Sequence, residues 1–204
     1  YKYKMDKYNK YLVDFISSNN ITPGRALDFG AGNMCDVKYL QAKGWFAEGV
    51  DIINGIDLNK PYISKNAPFD MVYSNYLLHN IRNIEVFIEN IYNNLRSGGY
   101  VFIHTLDESD TNTNSGSNFN KINKILISQG FTKIKHRIIE ILDNELGHNH
   151  YHKLLEITAI KCQYLHGQDR LAPWHTVKMI GGDNKWGSVK ILCVKYSLAG
   201  SYCL

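Results

Sequence analysis

The chain has no apolar run long enough to cross a bilayer as a helix; its hydrophobic stretches are short and strand-like, well below the ~18–20 residues a span requires. Its four cysteines (Cys35, Cys162, Cys193 and Cys203) show no C-x-x-C spacing, which argues against a zinc ribbon and a disulfide framework and for free thiols in a cytoplasmic protein. No secretory leader is visible, and the chain starts at Tyr1 rather than Met, so the native start is expected upstream. There is no internal repeat. The main body also lacks a charge of one sign. Residues 1–161 carry 18 Lys and Arg against 17 Asp and Glu, whereas residues 162–204 carry 5 against 2, so most of the net +4 lies in the tail. A body this close to neutral offers no bulk attraction for nucleic acid.

What is present is enough for one globular domain with a short extension: 204 residues, 44% hydrophobic and 21% charged. Strand-like and helix-like segments alternate, the pattern of an α/β fold with a mostly parallel twisted sheet, helices on both faces. The spacing of Tyr8, Tyr11, Leu12 and Phe15 predicts an opening helix over about 5–18. Strands follow at 25–29, 45–52, 69–74 and 100–106. A short helix capped by Asn33 and closed by Gly44 lies between the first two. A longer helix over 84–96, capped by Asn83 and ended by Gly98-Gly99, precedes the fourth. A polar loop at 107–117, a helix at 118–129 and two long strands at 131–142 and 151–161 complete the body. The turn at 144–147 makes the last two an antiparallel pair. Residues 162–204 form a short β-rich extension, read as a hairpin of 176–180 and 188–197 around Gly181-Gly182.

The chemistry is concentrated at Ala26-Leu27-Asp28-Phe29-Gly30-Ala31-Gly32-Asn33, where a buried strand turns into a helix through two glycines. That is where open α/β sheets bind nucleotide-like ligands, and glycine there lets a ligand approach the backbone. A dinucleotide fingerprint would need glycine where Cys35 stands. Asp28 would face a pyrophosphate: like charges ~4 Å apart repel by about 4 kcal/mol at an effective dielectric of 20. The site therefore favours a ligand with positive charge and no phosphate. Asp51 closes Gly49-Val50-Asp51, a distance from Gly30 that suits a carboxylate accepting both hydroxyls of an adenosine ribose.

These residues, with Phe69-Asp70-Met71-Val72-Tyr73-Ser74-Asn75-Tyr76-Leu77-Leu78-His79-Asn80-Ile81, Leu95-Arg96-Ser97-Gly98-Gly99-Tyr100 and Gln129-Gly130-Phe131, resemble the class I S-adenosylmethionine-dependent methyltransferases, in particular the small-molecule and tellurite-resistance-like type. The resemblance covers residues 20–161. It implies a Rossmann-like fold, S-adenosylmethionine as cofactor, and a small-molecule methyl acceptor. It implies that Asp28, Gly30, Ala31, Gly32 and Asn33 surround the methionine part of the cofactor. Asp51 would hold the ribose, Ile52 would flank the adenine with Asp57 and Leu58, and Ser74, Asn75 and Tyr76 would lie near the sulfonium. The chain departs from the family in having only five residues between Asp51 and Asp57, where a helix and a strand are usual. Asp57 is therefore the alternative ribose acid in a shifted register.

His79 and His104 are the candidate catalytic residues, as bases near the transferred methyl; each also reads as an ordinary histidine of a helix face or strand end. His148, His150 and His152 alternate on a strand. Adjacent same-face residues are ~6.6 Å apart, so one strand presents at most two to an ion, and the reading is a solvated hairpin edge with no metal site. The domain reading is a methyltransferase-like body over 1–161, its first 20 residues a helix over the cleft, and an extension over 162–204. A methyltransferase-like protein that binds without turnover is the alternative function. A nucleic acid methyltransferase is disfavoured because Ser74-Asn75-Tyr76-Leu77 has no proline pair to grip an extruded base. Membrane association is not expected, and oligomeric state is open.

Overall fold

A computed structural model describes residues 8–143 and 149–162 together with the backbone of two short strands at 177–180 and 186–189. The elements run α1 (Lys10–Ser18), β1 (Arg25–Phe29), α2 (Cys35–Ala42), β2 (Phe46–Val50), β3 (Phe69–Asn75), α3 (Ile84–Asn94), β4 (Leu95–Leu106), α4 (Phe119–Gln129), β5 (Phe131–Asp143) and β6 (His150–Lys161). Six strands form one sheet in the order β2-β1-β3-β4-β6-β5. β1 to β4 are parallel, and β6 is inserted antiparallel between β4 and the edge strand β5. The expected α/β, Rossmann-like architecture with an antiparallel closing pair is what the chain adopts.

The strands bury both faces, so each alternation serves a different helix layer. Leu27, Phe29, Val72, Val101 and Ile103 pack with Phe87, Ile88, Ile91 and Leu126 of α3 and α4. Ala26, Met71, Tyr73 and Phe102 pack with Leu12 of α1 and Val37 and Leu40 of α2. Leu12, at 1% exposure, is the only buried residue of α1, and full burial of such a side chain stabilises by about 1.5–3 kcal/mol. From β1 the chain goes outward to β2 and returns on the other side to β3. The strand order therefore reverses between β1 and β3, and open α/β sheets place their ligand at the carboxyl ends flanking such a reversal.

Several boundaries differ from the sequence reading. α1 starts at Lys10 because the Asn9 side chain accepts from the backbone of Tyr11 and Leu12; the residues before Tyr8 lie outside the described ones. α3 stops at Asn94 because Leu95 is already extended and pairs with Phe69, and a shift of register between Phe69 and Met71 absorbs Gly98-Gly99 within β4. α2 is preceded by Met34 in the left-handed conformation (φ 65°) instead of a capping Asn33, whose carboxamide oxygen takes the Cys35 N–H at 3.3 Å. The turn at 144–147 lies outside the described residues. Beyond the body, β7 (Val177–Ile180) and β8 (Trp186–Val189) pair antiparallel. Cys162 is disulfide-bonded, against the expectation of free thiols throughout.

The connection from β2 to β3 lacks the helix and strand usual in the proteins the sequence resembles. It contains one 3-10 turn, Ile52–Asn54, and no other element. Two asparagines of α3 tie down the rest. Asn90 accepts the Tyr62 N–H at 2.8 Å and donates to Lys60 O at 2.8 Å and Leu58 O at 3.2 Å. Asn94 accepts the Ser64 N–H at 2.8 Å and donates to Tyr62 O at 3.0 Å. Both are buried, at 1% and 0% exposure, and they supply hydrogen bonds that a strand ladder would otherwise give this segment.

Candidate active site

The turn after β1 is held by the neighbouring strand: the N–H groups of Gly30 and Ala31 both donate to Val50 O, at 2.8 and 3.1 Å. Gly30 adopts φ 83°, and a Cβ there would come within 2.8–3.1 Å of the Leu77 side chain, so both backbone and packing require glycine. Gly32, at φ 47°, differs: a Cβ would meet nothing within 4 Å. The space over Gly32 is open and borders the carboxyl end of β1. Asp51 leaves β2 beside it, with Oδ2 accepting the Gly32 N–H at 3.0 Å and Oδ1 the Ile53 N–H at 3.0 Å.

Beneath this turn lies an unusual concentration of carboxylates. Asp28 is 3% exposed, and its Oδ1 has no donor in ordinary hydrogen-bond geometry; the buried hydroxyl of Tyr73, its register partner on β3, lies near the carboxyl but outside that geometry. Burial, then the charges of Asp36 and Asp51, push the Asp28 carboxyl well above the usual carboxylate range, and the nearby Tyr73 hydroxyl offsets only part of this. Asp36, in the first turn of α2, is also raised by burial, although hydrogen bonds from Asn9 and Asn75 oppose the shift. A buried acceptor without a donor costs about 1–3 kcal/mol, and several acids share one small region. Such a site is relieved by a ligand that brings positive charge and donors.

The other wall is a polar network that clips α1 to the sheet. Asp36 accepts the Asn9 N–H and the Asn75 side-chain N–H, each at 2.6 Å. The Asn9 amide donates to Asn75 Oδ1 at 2.9 Å and lies 3.3 Å from Nδ1 of His104. Because Asn9 Oδ1 is engaged by two backbone N–H groups, its NH2 faces His104; Nδ1 of that ring is thus the acceptor, and Nε2 carries the proton. Nε2 of His104 is buried without a partner. Burial, assisted by the Arg137 charge, depresses this histidine to about 4, so at neutral pH it is a neutral donor and a poor base. Tyr76 stands beside it, ring centroids 5.7 Å apart, in a left-handed conformation (φ 55°) fixed by its N–H on His104 O at 2.7 Å. Sequence reasoning missed Asn9, Asp36 and Tyr73; buried polar residues on an otherwise apolar strand and at a helix start were the available signal.

The remaining expected residues are placed apart. Ser74 is fully buried and donates to Phe29 O at 2.8 Å, facing the α3 and α4 layer. Leu58 belongs to that same core. Ile52 is 67% exposed beside Asp51, whereas Asp57 is engaged with Asn59 and Lys60. Only Asp51 of the two acids touches the glycine turn. His79 lies in a 3-10 turn, its N–H on Thr105 Oγ1 at 3.2 Å, and burial lowers its pKa. His152 is no solvated edge residue: it is 6% exposed with Nδ1 2.7 Å from Asp110 Oδ2, while His148 lies outside the described residues. A groove of about 580 Å³ between α1 and the β5–β6 pair, lined by Phe15 and the Arg137–Glu156 ion pair, is away from the glycine turn.

The sequence profile of the family described as the methyltransferase domain matches residues 1–161. The chain belongs to that family. This methyltransferase shares its fold with phosphoethanolamine N-methyltransferase 2 of Haemonchus contortus (18% identity, TM-score 0.59, 76% of this chain and 53% of that one). It is likewise similar to TehB of Haemophilus influenzae (19%, 0.61, 78% and 64%). A third likeness is to the 1,6-didemethyltoxoflavin-N1-methyltransferase of Burkholderia thailandensis (18%, 0.55, 74% and 76%). The methyltransferase thus spans about half the length of the Haemonchus enzyme. No curated protein sequence matches it. The cofactor of this class is S-adenosylmethionine, and the methyltransferase's own residues fit it: an open glycine cradle, a buried carboxyl with one oxygen lacking a donor, and Asp51 at the cradle's rim. Among the described residues no helix is long and apolar enough to cross a membrane.

Proposed function

We propose that the body over 1–161, with 162–204 as an extension, transfers a methyl group from S-adenosylmethionine to a small-molecule acceptor. The observation that carries this reading is the buried Asp28 carboxyl, its Oδ1 without a donor in ordinary hydrogen-bond geometry, beside the open turn at Gly32. The cofactor supplies a methyl carbon already activated by the sulfonium charge. The chain's part is then to bind, align and exclude water, and holding two reactants in line supplies up to ~7–11 kcal/mol of barrier reduction in favourable cases. Asp28, Gly30, Ala31, Gly32 and Asn33 would hold the methionine part, Asp51 the ribose, and Ile52 an adenine face.

On the acceptor side stand Tyr76, Asn75 and the Nε2–H of His104. A neutral N–H with no partner suits a hydrogen-bond acceptor atom on the substrate, such as an oxygen, and assigns His104 to positioning rather than proton abstraction. Calorimetry tests the reading. The folded protein is expected to bind S-adenosylmethionine at micromolar Kd and to ignore NAD, with affinity falling at least tenfold in Asp51→Ala and unchanged in Asp57→Ala. Absence of binding by the folded wild type refutes it. Saturable binding with no methyl transfer to any oxygen or nitrogen nucleophile would leave a cofactor-binding protein instead.

A further inference from the structure

The geometry points to a binding site for a divalent transition-metal ion of the zinc kind, formed by Asp143, His150 and His152 and steadied by Asp110. Asp143 ends β5 and His150 opens β6, and the two are register partners; His152 is the next residue on the same face. The objection that one strand presents only two ligands is met here by the neighbouring strand, which contributes the third. One ligand atom from each of the three side chains lies within 4.8 Å of the others. The two Nε2 atoms are 3.0 Å apart, and His152 Nε2 is 3.8 Å from Asp143 Oδ2. Bonds of ~2.0–2.2 Å to a tetrahedral ion place neighbouring donor atoms roughly 3.3–3.6 Å apart, so closure needs shifts below about 1 Å.

Asp110 makes this more than a cluster. Its Oδ2 lies 2.7 Å from His152 Nδ1 and accepts the Lys153 N–H at 3.2 Å, and both carboxylate and imidazole are buried, at 4% and 6% exposure. A carboxylate on Nδ1 fixes the proton there and directs the Nε2 lone pair outward, the arrangement that orients metal-bound histidines. Asp110 belongs to the polar loop after β4, which Asn112 also fastens to β6 through Tyr151 O at 2.8 Å. Two imidazoles and one carboxylate suit a borderline cation such as Zn²⁺ better than Mg²⁺ or Ca²⁺, which prefer all-oxygen sets. The two carboxylates balance its charge, and a fourth position remains for water. Glu156 pairs with His104, four residues along β6 from His152, which puts the ion roughly 13 Å from that ring. The site therefore acts by joining the end of β5, the start of β6 and the loop at 107–117, not by touching reacting atoms.

The test uses the full chain, stripped with chelator and titrated calorimetrically with ZnCl2, with MgCl2 and CaCl2 as comparisons. The expected result is one Zn²⁺ per chain at micromolar Kd or tighter and no heat from the other two ions. Asp110→Asn should weaken Zn²⁺ about 10–100-fold. His152→Ala should abolish stoichiometric binding, and His136→Ala, elsewhere on β5, should leave it unchanged. Substitution of Co²⁺ into the wild type reads the ligands without any variant. A tetrahedral nitrogen–oxygen spectrum supports the site, whereas a sulfur-to-metal charge-transfer band would assign the ion to cysteine and overturn it. No binding by the folded wild type, or full binding by folded His152→Ala, would also overturn it.

Discussion

At the scale of the single residue, the site holds two buried groups whose titrations pull stability in opposite directions. Asp28 binds its proton more tightly in the folded chain than in the unfolded one, so stability falls as pH rises from the ordinary carboxylate value near 3.8 through its raised folded value. His104, depressed to about 4, binds its proton less tightly when folded, so stability falls as pH drops from 6.5 towards 4, by up to about 3 kcal/mol. Asp28→Asn should therefore remove the loss of stability with rising pH that this carboxyl causes, while weakening S-adenosylmethionine at least tenfold. His104→Gln should flatten the acid side of the melting curve between pH 6.5 and 4. Thermal melts across pH 4–8 on the three proteins check both, and an Asp28→Asn variant that keeps the wild-type fall of stability with rising pH would contradict the strain assigned to that carboxylate. The placement of Asp28 and Asp51 at the glycine turn was legible in the sequence because each sits at a fixed offset from it. Asn9 and Asp36 were not legible, because their importance lies in meeting Asn75 and His104 across the fold.

At the scale of elements, most helices announced themselves through local chemistry. Asn83 caps α3 as its sequence offset implies, and Asn118, read from the sequence as helical, caps α4 instead; each accepts a backbone N–H from three residues on. The misplaced boundaries have tertiary causes. Leu95 leaves the helix because pairing with Phe69 outweighs one more helical residue, and Met34 takes a left-handed turn where a capping asparagine was expected. The β2–β3 connection is the clearest case of a non-local solution. Asn90 and Asn94, four residues apart, point the same way from α3 and stitch a segment with almost no regular structure of its own. Asn90→Ala leaves the Tyr62 N–H and the Leu58 and Lys60 carbonyls to find other partners. The expected cost is about 2 kcal/mol, reduced slightly by the better helix propensity of alanine, or roughly 4–8 °C in melting temperature for a chain of this size. Urea titration and calorimetry measure it; a loss under 1 °C would mean that the stitching is replaced by water without penalty.

At the scale of the whole molecule, the α/β alternation predicted a doubly covered sheet, and the antiparallel β5–β6 ending followed from two long strands in succession. The Asp110–His152 pairing was hidden, because its partners are 42 residues apart and only the docking of the loop on β6 joins them. The attachment of α1 has a kinetic side. Its first turn is fastened through Asn9 to Asp36, Asn75 and His104, residues of three separate elements. We propose that α1 lies over the bound cofactor as a latch, so that the ligand would leave only as often as this turn opens. Exchange of cofactor for product would then be governed by the unfastening of one helical turn, and Asn9→Ala should shorten the residence time of S-adenosylhomocysteine in stopped-flow displacement. An unchanged off-rate would place the exit path elsewhere. The same asparagine that begins a helix would thereby set the pace of turnover.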